Sequence, residues 1–209
     1  MTAILTRSTG QLKSLSRHYM LPDAELTLWP NWLPEMDSLA LLQQLVDELS
    51  WQQPAIRLYG KSVVIPRQQV WMGEPHCRYR YSGTWFTPVG WHPRLQALAA
   101  EVSRSCQQTF NCVLLNYYRN GQQHMGWHAD NEPELGAKPV IASLSLGQTR
   151  RFDLKHRQTD DQLQLSLTNG SLLLMQGACQ QYWQHRLPKQ SRAISERINL
   201  TFRYIPAAV

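Results

Sequence analysis

Two segments in the first half of the chain repeat apolar residues at helical spacing. Residues 36–50 (MDSLALLQQLVDELS) and 93–108 (PRLQALAAEVSRSCQQ) each carry one apolar stripe. We expect Asp37 or Ser38 to cap the free N–H groups at the start of the first helix, and Pro93 to occupy the first turn of the second. The stripes predict two helices that cover a sheet; their members are Leu39, Leu42, Leu45, Val46 and Leu49, and Leu95, Leu98, Ala99 and Val102.

From residue 111 onward the apolar positions repeat with a period of two, which is typical of β-strands. These short runs alternate with turn residues; they are NCVLLNYYR, PVIASLSLG, RRFDLKH, QLQLSLT, SLLLMQ and RINLTFRYI. Asn169-Gly170 has the chemistry of a tight turn and predicts that LQLSLTNGSLLLM forms a β-hairpin. Several short strands that follow two helices predict a β-sandwich or open barrel with helices against one sheet.

The remaining segments have no clear period. Residues 56–91 are rich in aromatic residues, arginines and turn residues, which predicts strands joined by loops. Residues 1–35 are polar at first, then aromatic and proline-bearing, and predict an irregular arm that leads into the first helix.

Composition and charge limit the class of protein. A chain of 209 residues is one domain, or one domain with an extension, and can bury a sizeable core. Its net charge of +6 favours an anionic partner, of which nucleic acid is the commonest, although basic residues also serve solubility. The four cysteines have no CxxC spacing, which is typical of reduced, buried thiols. Because no window reaches the roughly 18 apolar residues of a membrane span, we expect a cytoplasmic protein that does not bind membranes.

Polar residues share one face of the last strand. In RINLTFRYI, the residues Arg197, Asn199, Thr201 and Arg203 point to one side, while the apolar residues between them point to the other. Two arginines on one strand face could grip both ends of a small dicarboxylate. A solvated strand face is the alternative.

Candidate metal ligands precede that strand. His128 and Asp130 share a face if their segment is extended, as do Asn116 and Tyr118 in an earlier strand, and His185 is a third candidate ligand. Two histidines and one carboxylate form the facial triad of non-haem Fe(II) oxygenases, which leaves coordination positions open for a chelating co-substrate and O2. A lone His-x-Asp pair, by contrast, often occurs by chance in a loop.

Four motifs together resemble the AlkB family of 2-oxoglutarate- and Fe(II)-dependent nucleic-acid dealkylases. In order, they are NYYRNGQQHMGWHADNEPEL, PVIASLSLGQTRRFDLKHR, LLLMQG with YWQHRLPK, and RINLTFRYI. The similarity runs from about Tyr59 to Ile205. Its most specific features are the His-x-Asp pair with a distant histidine and the complete Arg-x-Asn-x-Thr-x-Arg ending.

The resemblance implies roles for the matching residues. His128, Asp130 and His185 would be the iron ligands and hence the catalytic centre. Arg197 would pair with the far (C5) carboxylate of 2-oxoglutarate, and Arg203 would help to hold the end that chelates iron. The other co-substrate residues would be Asn116, Tyr118, Asn199 and Thr201.

The chain is most similar to family members that act on duplex DNA by inserting an aromatic finger into the base stack. The matching segment is RLYGK (57–61), in which Tyr59, next to Gly60 and Lys61, would fill the gap left by the extruded base. The family commonly has phenylalanine at this position. The alternative for Tyr59 is a hairpin-tip aromatic residue packed on its own domain.

Further residues match the base-holding part of the family. Tyr81 would stack on the flipped base, opposite the ring of His128, and Tyr79 would line the pocket. A core or loop position is the alternative for Tyr79. Asn131 and Glu132 would contact the base edge, with Glu132 accepting a hydrogen bond from an exocyclic amine.

The resemblance predicts an α+β, mainly β fold. We expect a double-stranded β-helix (jelly-roll) core with two supporting helices and an N-terminal nucleotide-recognition lid. Residues 1–35 would be an N-terminal arm, 36–110 the supporting helices and lid, and 111–209 the catalytic core, with 36–209 as one catalytic domain.

The implied function is oxidative demethylation of N-alkylated bases, such as 1-methyladenine and 3-methylcytosine, in DNA. Fe(II), 2-oxoglutarate and O2 would be the cofactors, and the expected partner is alkylated duplex DNA bound by a monomer. Two alternatives are the same chemistry on RNA or a non-nucleic substrate, and a non-catalytic protein that binds alkylated DNA.

Overall fold

The fold has three layers: two helices, a large sheet and a small sheet. The computed structural model describes residues 4–6, 15–58, 61–81 and 84–207. The helices are α1 (Glu35–Glu48), α2 (Pro93–Cys106) and α3 (Cys179–Tyr182). The strands are β1 (Ile4–Thr6), β2 (Ser16–Leu21), β3 (Ala24–Trp29), β4 (Ala55–Leu58), β5 (Lys61–Val64), β6 (Gln68–Gly73), β7 (Tyr79–Tyr81), β8 (Thr84–Phe86), β9 (Cys112–Tyr118), β10 (Met125–His128), β11 (Ile141–Gly147), β12 (Arg150–His156), β13 (Gln162–Leu167), β14 (Leu172–Gly177), β15 (Trp183–Leu187) and β16 (Arg197–Arg203).

The strands form two main antiparallel sheets and two hairpins. The large sheet has the order β1-β2-β3-β14-β11-β16-β9-β6, and the small sheet has the order β10-β15-β12-β13. The separate hairpins are β4–β5 and β7–β8. Two facing antiparallel sheets with supporting helices confirm the predicted jelly-roll fold class.

Each face of the large sheet contributes to a different hydrophobic core. One face packs against α1 and α2, and the other packs against the small sheet. The second core includes Leu26, Leu173 and Met175 from the large sheet and Phe152 and Trp183 from the small sheet. A polar pocket lies beside this second core, between the two sheets.

The two long helices form where the sequence predicts them, but α1 departs from its pattern: Leu39 of the predicted stripe is exposed, whereas Leu41, which was not assigned to the stripe, is buried. The predicted stripe of α2 is buried, and Pro93 is in its first turn. In α1, however, the N-cap is Pro34 and no side chain caps the helix. The prediction that Asp37 or Ser38 would cap α1 is wrong, because the helix begins earlier and the Ser38 hydroxyl donates to the carbonyl of Glu35 within its first turn.

The prediction of an irregular arm is wrong for residues 16–29. These residues form β2 and β3, and β3 pairs along its whole length with β14 of the large sheet. Leu26 and Leu28 alternate with polar residues and are buried in the second core. The domain boundary at residue 35 stays a prediction, but part of the arm belongs to the sheet.

The predicted hairpin around Asn169-Gly170 is a turn between different sheets. Gly170 has φ +72°, as expected for a tight turn. However, β13 pairs with β12 in the small sheet, whereas β14 pairs with β11 and β3 in the large sheet. The turn therefore carries the chain from one sheet to the other, which local turn chemistry cannot distinguish from a hairpin.

The described residues contain no helix that is both long and apolar enough to cross a bilayer. The four cysteines are buried and free, as predicted.

Candidate metal centre and dicarboxylate pocket

His128, Asp130 and His185 come together as one potential metal site. One ligand atom from each side chain lies within 4.8 Å of the other two. Among the residues that the structure describes, this is the one group of at least three His, Cys, Asp or Glu side chains with such geometry. The three predicted ligands, distant in sequence, therefore converge.

Strand pairing explains how the two histidines meet. In the antiparallel pair β10–β15, His128 lies directly opposite His185, so both side chains point to the same face. Their ring centroids are 4.3 Å apart. His128 Nδ1 is 2.9 Å from the carbonyl oxygen of Gly126, a contact that directs Nε2 away from the backbone.

Asp130 is held by two contacts from other parts of the fold. Its backbone N–H donates to Oε1 of Gln180 at 3.0 Å, and its carboxylate accepts a hydrogen bond from Arg203 at 2.8 Å. Gln180 is buried in α3 and has no sequence signature that marks it as part of the site.

The protonation states suit metal binding. Burial lowers the pKa of His128, and it lowers that of His185 to about 3, so both imidazoles are neutral at pH 7. Burial alone would raise the pKa of Asp130, but the positive charge of Arg203 and the hydrogen bond that it donates bring the pKa down to about 2. The site therefore offers neutral imidazole and ionised carboxylate, the forms that coordinate metals.

The residues of β16 line a pocket next to this site. Arg197, Asn199, Thr201 and Arg203 all face it, as do Asn116 and Tyr118 on the neighbouring strand β9. Asn199 is half-buried, and the other five residues are buried. This burial excludes the alternative of a solvated strand face.

Arg197 is a buried cation without a carboxylate partner among the described residues. It is 1% exposed, and its hydrogen bonds go to the hydroxyl of Ser145 at 2.8 Å and to two backbone carbonyls. Its Nε has no partner within the described part of the chain. Burial lowers the pKa of Arg197 to about 10, so the guanidinium still carries its charge at pH 7. A bound anion would compensate this charge.

The two arginines of β16 are far apart along the backbone. They are separated by six positions, or about 20 Å at the usual rise of a strand. Their side chains must therefore lean towards each other to share one small dicarboxylate. Arg203 also donates to Asp130, which places its end of the pocket at the metal site.

Arg67 and Gln69 belong to the pocket and were missed as site residues from the sequence. Arg67 Nε donates to Oδ1 of Asn116 at 2.7 Å, and Gln69 Nε2 donates to the same oxygen at 2.9 Å. Arg67 is 3% exposed and lines the pocket. Its sequence signal was its position after the finger segment, but nothing local indicates that its side chain turns inwards.

The remaining pocket residues have specific contacts. Thr201 donates to Oδ1 of Asn199 at 3.0 Å, and Asn199 Nδ2 donates to the hydroxyl of Ser143 at 2.7 Å. Glu132 lines the pocket, and its buried Oε2 has no partner among the described residues. Asn131 is exposed and is not part of the pocket lining.

Several predicted substrate residues cannot be placed by their side chains. Tyr59 and Gly60 lie outside the described residues, although the flanking strands β4 and β5 pair as a hairpin. Tyr79 and Tyr81 lie on β7 and Lys61 on β5, with only their backbones described.

The site fits a divalent metal and a dicarboxylate. Two neutral imidazoles and one carboxylate are the donor set of the facial triad. Buried Arg197, which lacks a carboxylate partner among the described residues, fits an acidic ligand in the same pocket.

Comparison with known proteins agrees with this geometry. A profile of the 2OG-Fe(II) oxygenase superfamily matches residues 25–203. The cofactors of this superfamily are Fe(II), 2-oxoglutarate and O2.

Two relatives illustrate the similarity. "Alpha-ketoglutarate-dependent dioxygenase alkB homolog 3" of Homo sapiens is 34% identical over 192 residues, which cover 87% of this chain. The match spans 66% of that relative, just under two thirds of its length. "DNA oxidative demethylase ALKBH2" of Mus musculus is 37% identical over 172 residues, which cover 78% of this chain and 72% of the relative.

A solved structure supports the fold. "The structure of OsALKBH1" superposes with a TM-score of 0.64 at 17% identity, and covers 88% of this chain and 98% of that one. The profile match over most of the chain and the identity with the alkB homologues show that this chain belongs to the AlkB family of the 2OG-Fe(II) oxygenase superfamily.

Proposed function

We propose that this protein is a dioxygenase that removes alkyl groups from N-alkylated bases, such as 1-methyladenine and 3-methylcytosine, in DNA. The carrying observation is the single pocket that joins the His128–Asp130–His185 site to the buried guanidinium of Arg197. The printed names of the relatives in human and mouse, a dioxygenase and a DNA oxidative demethylase, support this chemistry.

In this proposal the chain's residues bind and orient the cofactors. His128, Asp130 and His185 would hold Fe(II), Arg197 would bind the far carboxylate of 2-oxoglutarate, and Arg203 would orient both Asp130 and the chelating end. When bound, the iron and 2-oxoglutarate supply the oxidation of the N-alkyl carbon by O2, with release of succinate, CO2 and finally an aldehyde. The protein contributes position, charge and exclusion of water.

Asn116 would hydrogen-bond to the co-substrate from a fixed position. Its Oδ1 accepts from both Arg67 and Gln69, so its amide nitrogen is directed away from these two donors. Tyr118, Asn199 and Thr201 would complete the co-substrate pocket.

Base recognition would take place at the open side of the metal centre. Glu132 has a buried oxygen without a partner among the described residues, and an exocyclic amine of a base would supply the missing donor. Tyr81 and Tyr79 would hold the base against the ring of His128. Asn131, which is exposed, would contact the base edge only from the rim.

The deciding experiment is mass spectrometry of an oligonucleotide that carries 1-methyladenine. Duplex DNA, single-stranded DNA and the matching RNA would each be incubated with the protein, Fe(II), 2-oxoglutarate and ascorbate. We expect loss of the methyl mass from DNA and no loss with His128→Ala, whose circular dichroism should match that of the wild type. Consumption of 2-oxoglutarate without demethylation would overturn the nucleic-acid assignment, and demethylation of RNA alone would move the substrate to RNA.

Tyr59 provides the test of duplex preference. Replacement by alanine should lower the rate on duplex DNA and leave the rate on single strands, because insertion into the stack matters only when a base must be extruded. Tyr59→Phe, which keeps the ring, should retain the duplex rate. Equal losses on both substrates would refute the finger.

A further inference from the structure

Arg150, the first residue of β12, is another buried cation near the pocket. Its side chain is 1% exposed, and among the residues that the structure describes it has no carboxylate partner. Its guanidinium donates four hydrogen bonds to neutral oxygen atoms instead. The acceptors are the carbonyls of Asn120 at 3.4 Å, Gln123 at 3.0 Å and Pro188 at 2.7 Å, and the side-chain oxygen of Gln190 at 3.2 Å. The position of the guanidinium is therefore fixed from several sides.

The four acceptors lie in two loops that cross between the sheets. Residues 119–124 connect β9 of the large sheet to β10 of the small sheet, and residues 188–196 connect β15 of the small sheet to β16 of the large sheet. The loops also bond to each other, since Gly121 N–H donates to the carbonyl of Ala193 and Gln190 N–H donates to the carbonyl of Gly121. Arg150 thus ties together two connections between the strands of the metal-site histidines and the strands of the dicarboxylate pocket.

The same guanidinium contacts Tyr118. Its central carbon lies 5.9 Å from the centroid of the Tyr118 ring, within the range of a cation–π interaction. Tyr118 lies directly opposite Arg197 in the β9–β16 pair, and both residues are buried and line the pocket. Burial raises the pKa of Tyr118, so its hydroxyl is protonated at pH 7 and can donate a hydrogen bond to a carboxylate. The orientation of the ring decides where that hydroxyl points.

We propose that Arg150 is a positioning residue that holds Tyr118 beside Arg197 and thereby shapes the end of the pocket that receives the far carboxylate of 2-oxoglutarate. This inference rests on the proposed function for the roles of Tyr118 and Arg197. Arg150 is not part of the pocket lining, so it acts through Tyr118 and the two loops without contact with the ligand. Lysine cannot take its place, because a flexible ammonium does not reproduce the planar array of donors.

The test measures ligand binding without turnover. Isothermal titration of the Mn(II)-loaded protein would give Kd for 2-oxoglutarate. Arg150→Lys keeps the charge and loses the planar donors, and it should raise Kd about tenfold, which corresponds to the loss of one charge-assisted hydrogen bond in the pocket. An unchanged Kd would overturn the proposal.

Arg151→Lys is the matched control. It makes the same substitution at the next position of β12, where the side chain points to the opposite face of the strand and pairs with Asp153. We expect a Kd close to that of the wild type. Equal increases in both variants would show an unspecific effect of the substitution on β12 and would contradict the role of Arg150.

A double-mutant cycle distinguishes positioning from a purely structural role. Tyr118→Phe keeps the ring, removes the hydroxyl and should itself raise Kd about tenfold. If Arg150 acts through Tyr118, adding Arg150→Lys to Tyr118→Phe should raise Kd by less than about a further twofold. Independent effects would multiply to about a hundredfold, and that result would overturn the proposal.

Gln190→Ala provides a second variant in case Arg150→Lys does not fold. It removes one acceptor of Arg150 from a half-buried position in the loop, and it should raise Kd by about two- to fivefold while the circular dichroism stays that of the wild type. A wild-type Kd in this variant would contradict the bracing role. Because the titration contains no nucleic acid, it decides the role of Arg150 even if the wild-type protein demethylates no DNA. A wild-type protein that binds no 2-oxoglutarate with Mn(II) would overturn both the pocket and this role.

Discussion

At the scale of one residue, Arg197 presents a buried positive charge that an acidic ligand could pair with. A buried charge without a counter-ion costs free energy, and hydrogen bonds to carbonyls and to Ser145 offset only part of that cost. The described residues supply no carboxylate to this guanidinium. An acidic ligand that pairs with the guanidinium would therefore offset the remaining free-energy cost of the buried charge.

Replacement of Arg197 should separate stability from ligand binding. Arg197→Met removes the uncompensated charge but leaves two carbonyls without a donor, so we expect the free energy of unfolding to change by less than about 2 kcal/mol. The rise in Tm that 2-oxoglutarate gives the metal-loaded wild type should disappear. Differential scanning fluorimetry measures both effects, and a normal rise in Tm would refute the assigned role.

Gln180 should control metal affinity without contacting the metal. Its side chain accepts from the backbone N–H of Asp130, and Gln180→Leu removes that acceptor. We expect metal affinity to fall by about 10- to 100-fold, as is usual when a residue that orients a ligand is lost. Isothermal titration with Mn(II) would measure the change. Gln181→Leu, at the exposed neighbouring position, is the control and should bind like the wild type.

At the scale of the element, the turn at residues 168–171 decides how the two sheets are connected. Gly170 N–H donates to the carbonyl of Ser145 in the large sheet, and its own carbonyl accepts from Leu33 N–H near the start of α1. A side chain at this position would begin 2.1 Å from the carbonyl oxygen of Leu33. Both the positive φ angle and the close approach therefore require glycine.

Gly170→Ala should destabilise the whole fold. We expect a loss of about 2 to 4 kcal/mol in the free energy of unfolding, because alanine is strained at φ +72° and clashes with backbone that cannot move easily. Urea denaturation measures this loss. Gly90→Ala is the control, since no atom lies within 4 Å of its added Cβ, and it should change stability by less than about 0.5 kcal/mol. Similar losses in both variants would contradict the role given to the turn.

At the scale of the molecule, the site lies across both sheets. The histidines belong to the small sheet, and Arg197 and Arg203 belong to the large sheet. The hydrogen bond from Arg203 to Asp130 already joins the two halves. A metal and a dicarboxylate bound together would therefore stabilise the packing of one sheet on the other.

Metal and 2-oxoglutarate should stabilise the fold cooperatively. With Mn(II) in place of iron to prevent turnover, saturating 2-oxoglutarate at about 100 times its Kd should add about 2.7 kcal/mol to the free energy of unfolding. Without metal the same concentration should add much less, since the chelating end then lacks its partner. Thermal unfolding with each ligand alone and with both provides the comparison. Equal shifts with and without metal would refute a shared site.

The structure brings the predicted triad and the β16 residues together, but it adds neighbouring residues that were not predicted. The β16 residues share one face because side chains alternate along a strand, whereas the triad converges through the pairing of β10 with β15 and the loop that carries Asp130. Arg67, Gln69 and Gln180 were missed, because each reaches the site from an element that is distant in sequence. His156 is buried beside Tyr182 and Trp183, although no pattern in the sequence around it marks it as a core residue.

The sequence by itself determined the elements with a strong period, the turn residues, the residue types of the candidate metal site and the family. The local features depend on residues that are close in the chain. Apolar stripes predicted α1 and α2, alternating polar and apolar residues predicted the two faces of β16, and the Asn-Gly pair predicted the positive φ of Gly170. Only the tertiary structure decided the partners of the strands, including the placement of β13 and β14 in different sheets and of residues 16–29 in the large sheet. It also decided that Arg197 is a buried cation without a carboxylate partner among the described residues. Burial and strand pairing depend on contacts between segments that are distant in the sequence. A local pattern of residues does not show which distant segments come into contact.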